Sequence, residues 1–168
     1  MTVTLILGGA RSGKSRRAQE LAEAASAQRV FIATAEALDD EMANRIARHQ
    51  RDRGTGWRTI EAPLDLTHAL QEAAVTGGVI LIDCLTLWLS NLMHRERDVD
   101  AAIAELVNTL REPAELILVS NEVGLGLVPE TPLGRTFRDH QGRLNQAIAA
   151  ASDRVEFVAA GLPLALKG

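Results

Sequence analysis

The chain has 168 residues, enough for one buried core, and a formal net charge of −4, which speaks against a general nucleic-acid binder. Its single cysteine, Cys84, excludes a disulfide scaffold within one chain and a cysteine-based zinc cluster, so a reducing cytoplasm is the expected location. No apolar run approaches the ~18 residues of a membrane span, and the start Met1–Gly9 has neither the basic residues nor the length of a secretion signal.

In chain order, the β-branched and aliphatic run Val3–Leu7 predicts a strand, followed by a glycine-rich turn and a helical pattern over Lys14–Ala25. The turn reads Gly8, Gly9, Ala10, Arg11, Ser12, Gly13, Lys14, Ser15, with four residues between Gly8 and Gly13. A strand before it and a helix after it are the context a phosphate-binding loop requires. Glycines there let backbone N–H groups converge on phosphate oxygens, and the helix N-terminus adds partial positive charge. Lys14 supplies a point charge for the β- and γ-phosphates, and the Ser15 hydroxyl suits Mg²⁺.

A second strand is expected at Val30–Thr34, then a helix over Leu38–Arg51. The segment Asp39–Arg53 starts acidic and ends basic, a polarity that suits the helix dipole. Met42, Ile46 and His49 share one face at spacings of four and three, with Arg45, Arg48, Arg51 and Arg53 close by. Periodicity leaves two readings of His49 open. It is a structural histidine at a helix C-terminus among solvated arginines, or a neutral imidazole beside phosphate-binding arginines, able to attack phosphorus.

Further helical patterns are expected over Leu66–Ala74, Val99–Leu110 and Leu133–Ala151, and further strands at Val79–Asp83, Leu116–Ser120 and Val155–Val158. Leu162–Leu166 suits an antiparallel edge strand after the turn at Gly161, where Pro163 is tolerated. Strands apolar throughout, alternating with helices, predict one α/β domain with a mainly parallel sheet covered on both faces. Asp83 closes the apolar run from Val79, at the strand end where parallel sheets bind ligands. It serves either the Mg²⁺ side of the nucleotide or as a cap for a helix beginning at Cys84.

Asn121–Gly126 follows a strand too and reads as a substrate or inter-subunit loop, or as a plain surface connection. On the last helix Leu133, Phe137, Leu144 and Ile148 form the expected core stripe. Arg135, Arg138 and Arg143 either meet a substrate phosphate or lie solvated, paired with Asp139. Trp57 and Trp88 are expected in the core, with base stacking the alternative for Trp57.

Together, GGARSGKS at Gly8–Ser15, IATAEALDDEMANRIARH at Ile32–His49, WRTIEAP at Trp57–Pro63, SNEVGLGLVPE at Ser120–Glu130 and GRTFRDHQGRLNQ at Gly134–Gln146 resemble one family along essentially the whole chain. It is the bifunctional adenosylcobinamide kinase/adenosylcobinamide-phosphate guanylyltransferase family of cobalamin biosynthesis. The resemblance implies a RecA-like P-loop NTPase fold and a homotrimer with the site near a subunit boundary. It implies phosphorylation of adenosylcobinamide by ATP or GTP, then GMP transfer from GTP to adenosylcobinamide-phosphate through a GMP–histidine adduct on His49. Nucleotide contacts are implied at Ala33, Thr34 and Ala35, at Gln50, Arg51, Asp52 and Arg53, at Glu61 and at Asp83. Two rivals remain: a simple P-loop small-molecule kinase and a RecA-like ATPase acting mechanically. Asp83 stands where relatives often carry Glu. His140 occupies a variable position of the last motif and, with His68 and His94, is expected to pack or cap rather than react.

Overall fold

The computed structural model of the chain describes residues 2–36, 54–110 and 115–168. Its strands are β1 (Val3–Gly8), β2 (Arg29–Ala33), β3 (Trp57–Glu61), β4 (Val79–Asp83), β5 (Glu115–Asn121), β6 (Arg154–Ala159) and β7 (Leu162–Lys167). They form one sheet in the order β3-β2-β4-β5-β1-β6-β7. Strands β1 to β6 are parallel, and β7 returns antiparallel along β6 with Pro163 opposite Val158, the edge position a residue without an N–H tolerates.

The described helices are α1 (Lys14–Ala25), α2 (Leu66–Thr76), α3 (Leu85–His94), α4 (Val99–Thr109) and α5 (Pro132–Ala151). Strand alternation divides the core into two layers. Leu5, Leu7, Val30, Ile32, Ile80, Ile82, Leu116 and Leu118 pack with residues of α2 to α5. Ile6, Phe31, Val79, Leu81, Ile117 and Val119 face α1, whose buried contacts are the small side chains Ala18 and Ala22, with Leu21 packing at the margin. Those small contacts let α1 lie close against the sheet, so the loop at its N-terminus is anchored on a rigid surface. Burial on both faces explains why β4 is apolar from Val79 to Ile82.

Two elements depart from the sequence expectation. Strand β3 lies where no strand is expected, because Trp57–Glu61 is a half-exposed edge strand without an apolar run. Helix α3 is expected only as an alternative beginning at Cys84, although its buried Leu85, Trp88, Leu89 and Leu92 recur at helical spacing. Leu133 also leaves the predicted core stripe and is 64% exposed. The fully buried part of α5 begins at Gln141, with Phe137 half-buried against the core, so its first turn extends past the core. The expected helix Leu38–Arg51, with His49, and the residues Gln50, Arg51, Asp52 and Arg53 lie outside the described residues.

Candidate active site

The cradle runs from the end of β1 into α1. Gly13, the N-cap of α1, has φ 95° and carries no side-chain cap, so the first N–H groups of the helix remain available to a ligand. Gly8 is required by packing: a Cβ there would sit 2.5 Å from Ser12 Oγ and 2.6 Å from the carbonyl oxygen of Val158. Gly13 is pressed from the other side, where a Cβ would lie 3.2 Å from the Cα of Gly161. The N–H of Gly161 donates to the Ser12 carbonyl at 2.8 Å. In a trans peptide the Gly13 N–H points opposite to that carbonyl, so the β6–β7 turn holds this amide facing away from the hairpin. Lys14 Nζ donates to the Gly9 carbonyl at 3.1 Å, which lays the ammonium over the loop.

The carboxyl ends of the neighbouring strands complete the site. Ala33 is level with Glu61 on β3 and with Asp83 on β4, and Asp83 in turn with Val119 on β5. Glu61, Ala33 and Asp83 therefore form a row on the sheet face that α1 covers, the two carboxylates about 10 Å apart at their Cα atoms, two strand spacings. The N-cap residue of α3 is Cys84, one beyond Asp83, and the Cys84 side chain makes no capping bond. The Cys84 thiol is pushed up to about 11, first by burial and then by the Asp83 charge, against the opposing influence of Lys14. One thiol thus feels both the loop lysine and the strand-end acid.

Thr34 is fully buried, and its hydroxyl donates to the Cys84 carbonyl at 2.7 Å while accepting from the Cys84 N–H at 2.9 Å. Asn91 on α3 donates to the carbonyls of Thr34 and Pro63 at 2.8 and 3.0 Å. The exits of β2, β3 and β4 are stitched together by these bonds, and the Thr34 side chain is used by the protein itself. Glu36, two residues beyond Thr34, pairs with Arg95 at the end of α3 at 3.1 Å.

The arrangement is a glycine-rich loop opening a helix, beside a strand-end acid at the carboxyl edge of a parallel sheet. A family model described as cobinamide kinase / cobinamide phosphate guanyltransferase matches residues 4–166. This chain belongs to that family. It is accordingly an enzyme of the bifunctional kinase and guanylyltransferase kind. The bifunctional adenosylcobalamin biosynthesis protein CobP of Pseudomonas aeruginosa is 50% identical over 98% of this chain and 96% of its own length. The corresponding protein CobU of Escherichia coli is 39% identical over 97% of this chain and 98% of its own. Among solved structures, the flagellar accessory protein FlaH from Methanocaldococcus jannaschii superposes with a TM-score of 0.56 at 15% identity, covering 99% of this chain and 78% of that one. An ATPase from the type III secretion system of pathogenic bacteria gives 0.57 at 12% identity, covering 98% of this chain and 56% of that one. These likenesses identify a RecA-like P-loop fold.

The cobinamide kinase family motif at Gly134–Gln146 has a buried purpose that the sequence reading missed. Gln141 Nε2 donates to Ser120 Oγ and Asn145 Oδ1 at 2.9 and 3.0 Å, and Ser120 Oγ donates to Asn145 Oδ1 at 2.7 Å. Asn145 Nδ2 donates to the Asn121 carbonyl at 3.0 Å, and the Asn121 N–H donates to Thr86 Oγ1 at 2.8 Å. The carboxyl end of β5 is thereby clamped between α5 and α3. The signal was present: Gln141 and Asn145 are polar residues at core-stripe positions of α5, four apart.

The arginines of α5 are largely committed within the protein. Arg135 donates to the carbonyls of Pro129 and Glu130 at 3.1 and 2.7 Å, Arg138 lies 3.6 Å from Asp139, and Arg143 lies 3.8 Å from Asp100. His140 sits beside Arg143 and Asp100, His94 bonds the Ser90 carbonyl at 2.8 Å, and His68 is exposed. Trp88 is core, its indole N–H donating to the Leu64 carbonyl at 2.8 Å. Trp57 opens β3 at the amino edge of the sheet, away from the cradle, edge-on to Phe31 with its ring 5.4 Å from the Arg29 guanidinium. That position removes it from base stacking at the cradle.

Proposed function

We propose that this protein phosphorylates adenosylcobinamide with ATP or GTP and then converts adenosylcobinamide-phosphate to adenosylcobinamide-GDP through a GMP–histidine intermediate on His49. The observation that carries this reading is the meeting of the Gly8–Ser15 cradle with the row Glu61, Ala33 and Asp83 at one sheet edge, in a chain of this family. In the kinase step the amide groups of the cradle and Lys14 hold the triphosphate, and the acceptor hydroxyl takes the γ-phosphoryl group as nucleoside diphosphate leaves. In the second reaction a ring nitrogen of His49 attacks the α-phosphorus of GTP, the α–β phosphoanhydride breaks and pyrophosphate departs. The phosphate oxygen of adenosylcobinamide-phosphate then attacks the adduct and frees the imidazole.

Gly8, Gly9, Ala10, Arg11, Ser12, Gly13, Lys14 and Ser15 hold phosphates in this reading. Ala33, Thr34, Ala35, Glu61, Asp83, Gln50, Arg51, Asp52 and Arg53 meet the rest of the nucleotide, Thr34 through its backbone. Ser15 and Asp83 are hard oxygen donors of the kind Mg²⁺ takes alongside substrate phosphates and water, and among the described residues no three His, Cys, Asp or Glu side chains form a protein-only metal cluster. Bound there, Mg²⁺ would neutralise charge developing on the phosphate oxygens. Among the described residues no helix is long and apolar enough to cross a membrane, and the nucleotide substrates favour a cytoplasmic location. Exposed Leu162, Leu164 and Leu166 on edge strand β7, with Leu125, Leu127 and Val128 after β5, support assembly, which we propose is a homotrimer.

The test is incubation with GTP labelled at the α-phosphate. An acid-labile label on His49 is expected, lost entirely in His49→Ala while adenosylcobinamide phosphorylation persists. A chain that phosphorylates adenosylcobinamide without ever acquiring the label is a simple kinase, and the covalent step fails.

A further inference from the structure

Three residues other than glycine hold a positive φ among the described residues: Arg11 at 55°, Glu96 at 52° and Ala160 at 51°. Two of them belong to motifs of the fold. Glu96 lies just past α3, where its N–H donates to the Met93 carbonyl and the Arg97 N–H to the Leu92 carbonyl, the pair of bonds that closes a helix through a left-handed residue. Ala160 and Gly161 form the two-residue turn between β6 and β7, a turn that takes positive φ at both positions. Arg11 stands in the phosphate loop itself, third in the turn Gly9–Ser12 that the Ser12 N–H closes on the Gly9 carbonyl at 3.3 Å. Glycine is the residue this slot favours, and a side chain there is strained. No contact within the fold accounts for the arginine, which is exposed and makes no hydrogen bond or ion pair among the described residues. Beside it, Gly9 has no atom within 4 Å of where a Cβ would stand, so open space lies over the loop. Strain kept at a ligand loop by a cation without a protein partner points to a partner in the ligand.

The flanks of the loop are taken up by the protein. The β6–β7 turn is pressed against Gly13, and the Glu122 N–H donates to the Gly8 carbonyl at 3.0 Å. Ala10 and Arg11 are its exposed stretch, the side from which an acceptor alcohol can meet the terminal phosphoryl group. During transfer, charge spreads over the three equatorial oxygens of that group, and a planar guanidinium offers two parallel N–H donors to two of them. We propose that Arg11 is a catalytic residue of the kinase reaction, its guanidinium gripping the γ-phosphoryl group as it moves. The acceptor oxygen forms its bond to the γ-phosphorus while the β–γ bridging P–O bond breaks. The hydroxyl proton passes late to an oxygen of the transferred group, and nucleoside diphosphate leaves with the bonding electrons. Arg11 neither gives nor takes a proton, because a guanidinium stays charged throughout. When His49 attacks the α-phosphorus, the γ-phosphoryl group departs unbroken within pyrophosphate, so the same grip contributes less to that reaction. The main-chain groups of the loop serve both reactions, and the Arg11 side chain favours one.

This inference rests on the kinase half of the function proposed above. The experiment measures two rates on the full chain with Mg²⁺ present: phosphorylation of adenosylcobinamide, and labelling of His49 by GTP carrying label at the α-phosphate. Arg11→Gly is expected to lower kinase kcat about 100-fold, the scale of one lost transition-state donor, with a smaller change in KM for nucleotide. Its loss in His49 labelling is expected to be smaller by about tenfold or more. Glycine takes a φ of 55° without strain, so the Tm of Arg11→Gly should equal or exceed that of the unaltered chain. Arg11→Lys keeps the charge without the fork and is expected to lose about tenfold in kinase kcat. Equal losses in the two rates, as a general hold on the triphosphate would give, overturn the assignment. So does a lowered Tm in Arg11→Gly, which would make the side chain a support of the fold, and so does full kinase activity in Arg11→Lys. Failure of the underlying reading looks different, because the unaltered chain would then phosphorylate no adenosylcobinamide.

Discussion

The carboxyl edge of the sheet is closed by two seams built in different ways. On the β2–β4 side, Thr34 and Asn91 bond main-chain groups of Cys84, Thr34 and Pro63. On the β5 side, carboxamides of α5 bond a hydroxyl, another carboxamide and one carbonyl. The first seam leaves the Thr34 hydroxyl both donating and accepting. The second leaves two buried carboxamide oxygens, Asn121 Oδ1 and Gln141 Oε1, with no donor among the described residues. Gln141 bonds Ser120, which faces away from α1, whereas Asn121 faces the cradle side, so the two orphans are not equivalent. A sheet edge can thus be fully satisfied on one flank and carry buried, unbonded oxygens on the other.

Breaking the second seam is the larger expected effect. Asn145→Leu removes partners from Ser120, Gln141 and the Asn121 carbonyl at once and is expected to cost about 3 kcal/mol in urea unfolding. Kinase turnover should fall with it, since the end of β5 level with Gly8 of the cradle loses one of its two anchors. Thr34→Val keeps the side chain's shape but strips the Cys84 N–H and carbonyl of their partner, an expected loss of about 2 kcal/mol. If Thr34→Val proved the costlier of the two, the β5 seam would be an accessory to the fold rather than its clamp.

The two seams were unequally legible in the sequence. The cradle could be read residue by residue because glycine spacing, the preceding strand and the following helix are all local features. Asp83 could be placed because a buried parallel strand ends at the ligand edge. Strand β3 escaped because its pairing to β2, and not an apolar run, makes it a strand. Gln141 and Asn145 lay in plain view within a motif, yet their partners Ser120 and Asn121 are more than twenty residues away, and only folding shows why polar groups occupy a core stripe. Leu133 misled for the opposite reason, its periodicity continuing past the end of the core.

The smallest effect sharpens the comparison by pH. Both seams are neutral hydrogen bonds and do not titrate, whereas α1 is fastened to β6 by Arg17, whose Nε and Nη2 each lie 2.8 Å from a carboxylate oxygen of Glu156. The Arg17 hydrogen bond, opposed in part by burial, holds the Glu156 carboxyl below the usual carboxylate range. A carboxyl whose pKa is lowered by folding contributes stability above its unfolded value of roughly 4.3, and that contribution fades as pH falls through the lower folded value. Unfolding followed between about pH 6 and pH 3 should therefore lose about 1 kcal/mol more in the unaltered chain than in Glu156→Gln, the size of a well-formed, partly buried pair. Asn145→Leu and Thr34→Val should shift the whole stability profile down without changing that slope. A change of slope in either variant would mean that the seams and the ion pair hold α1 as one unit, and that the two flanks of the sheet edge are coupled through the cradle.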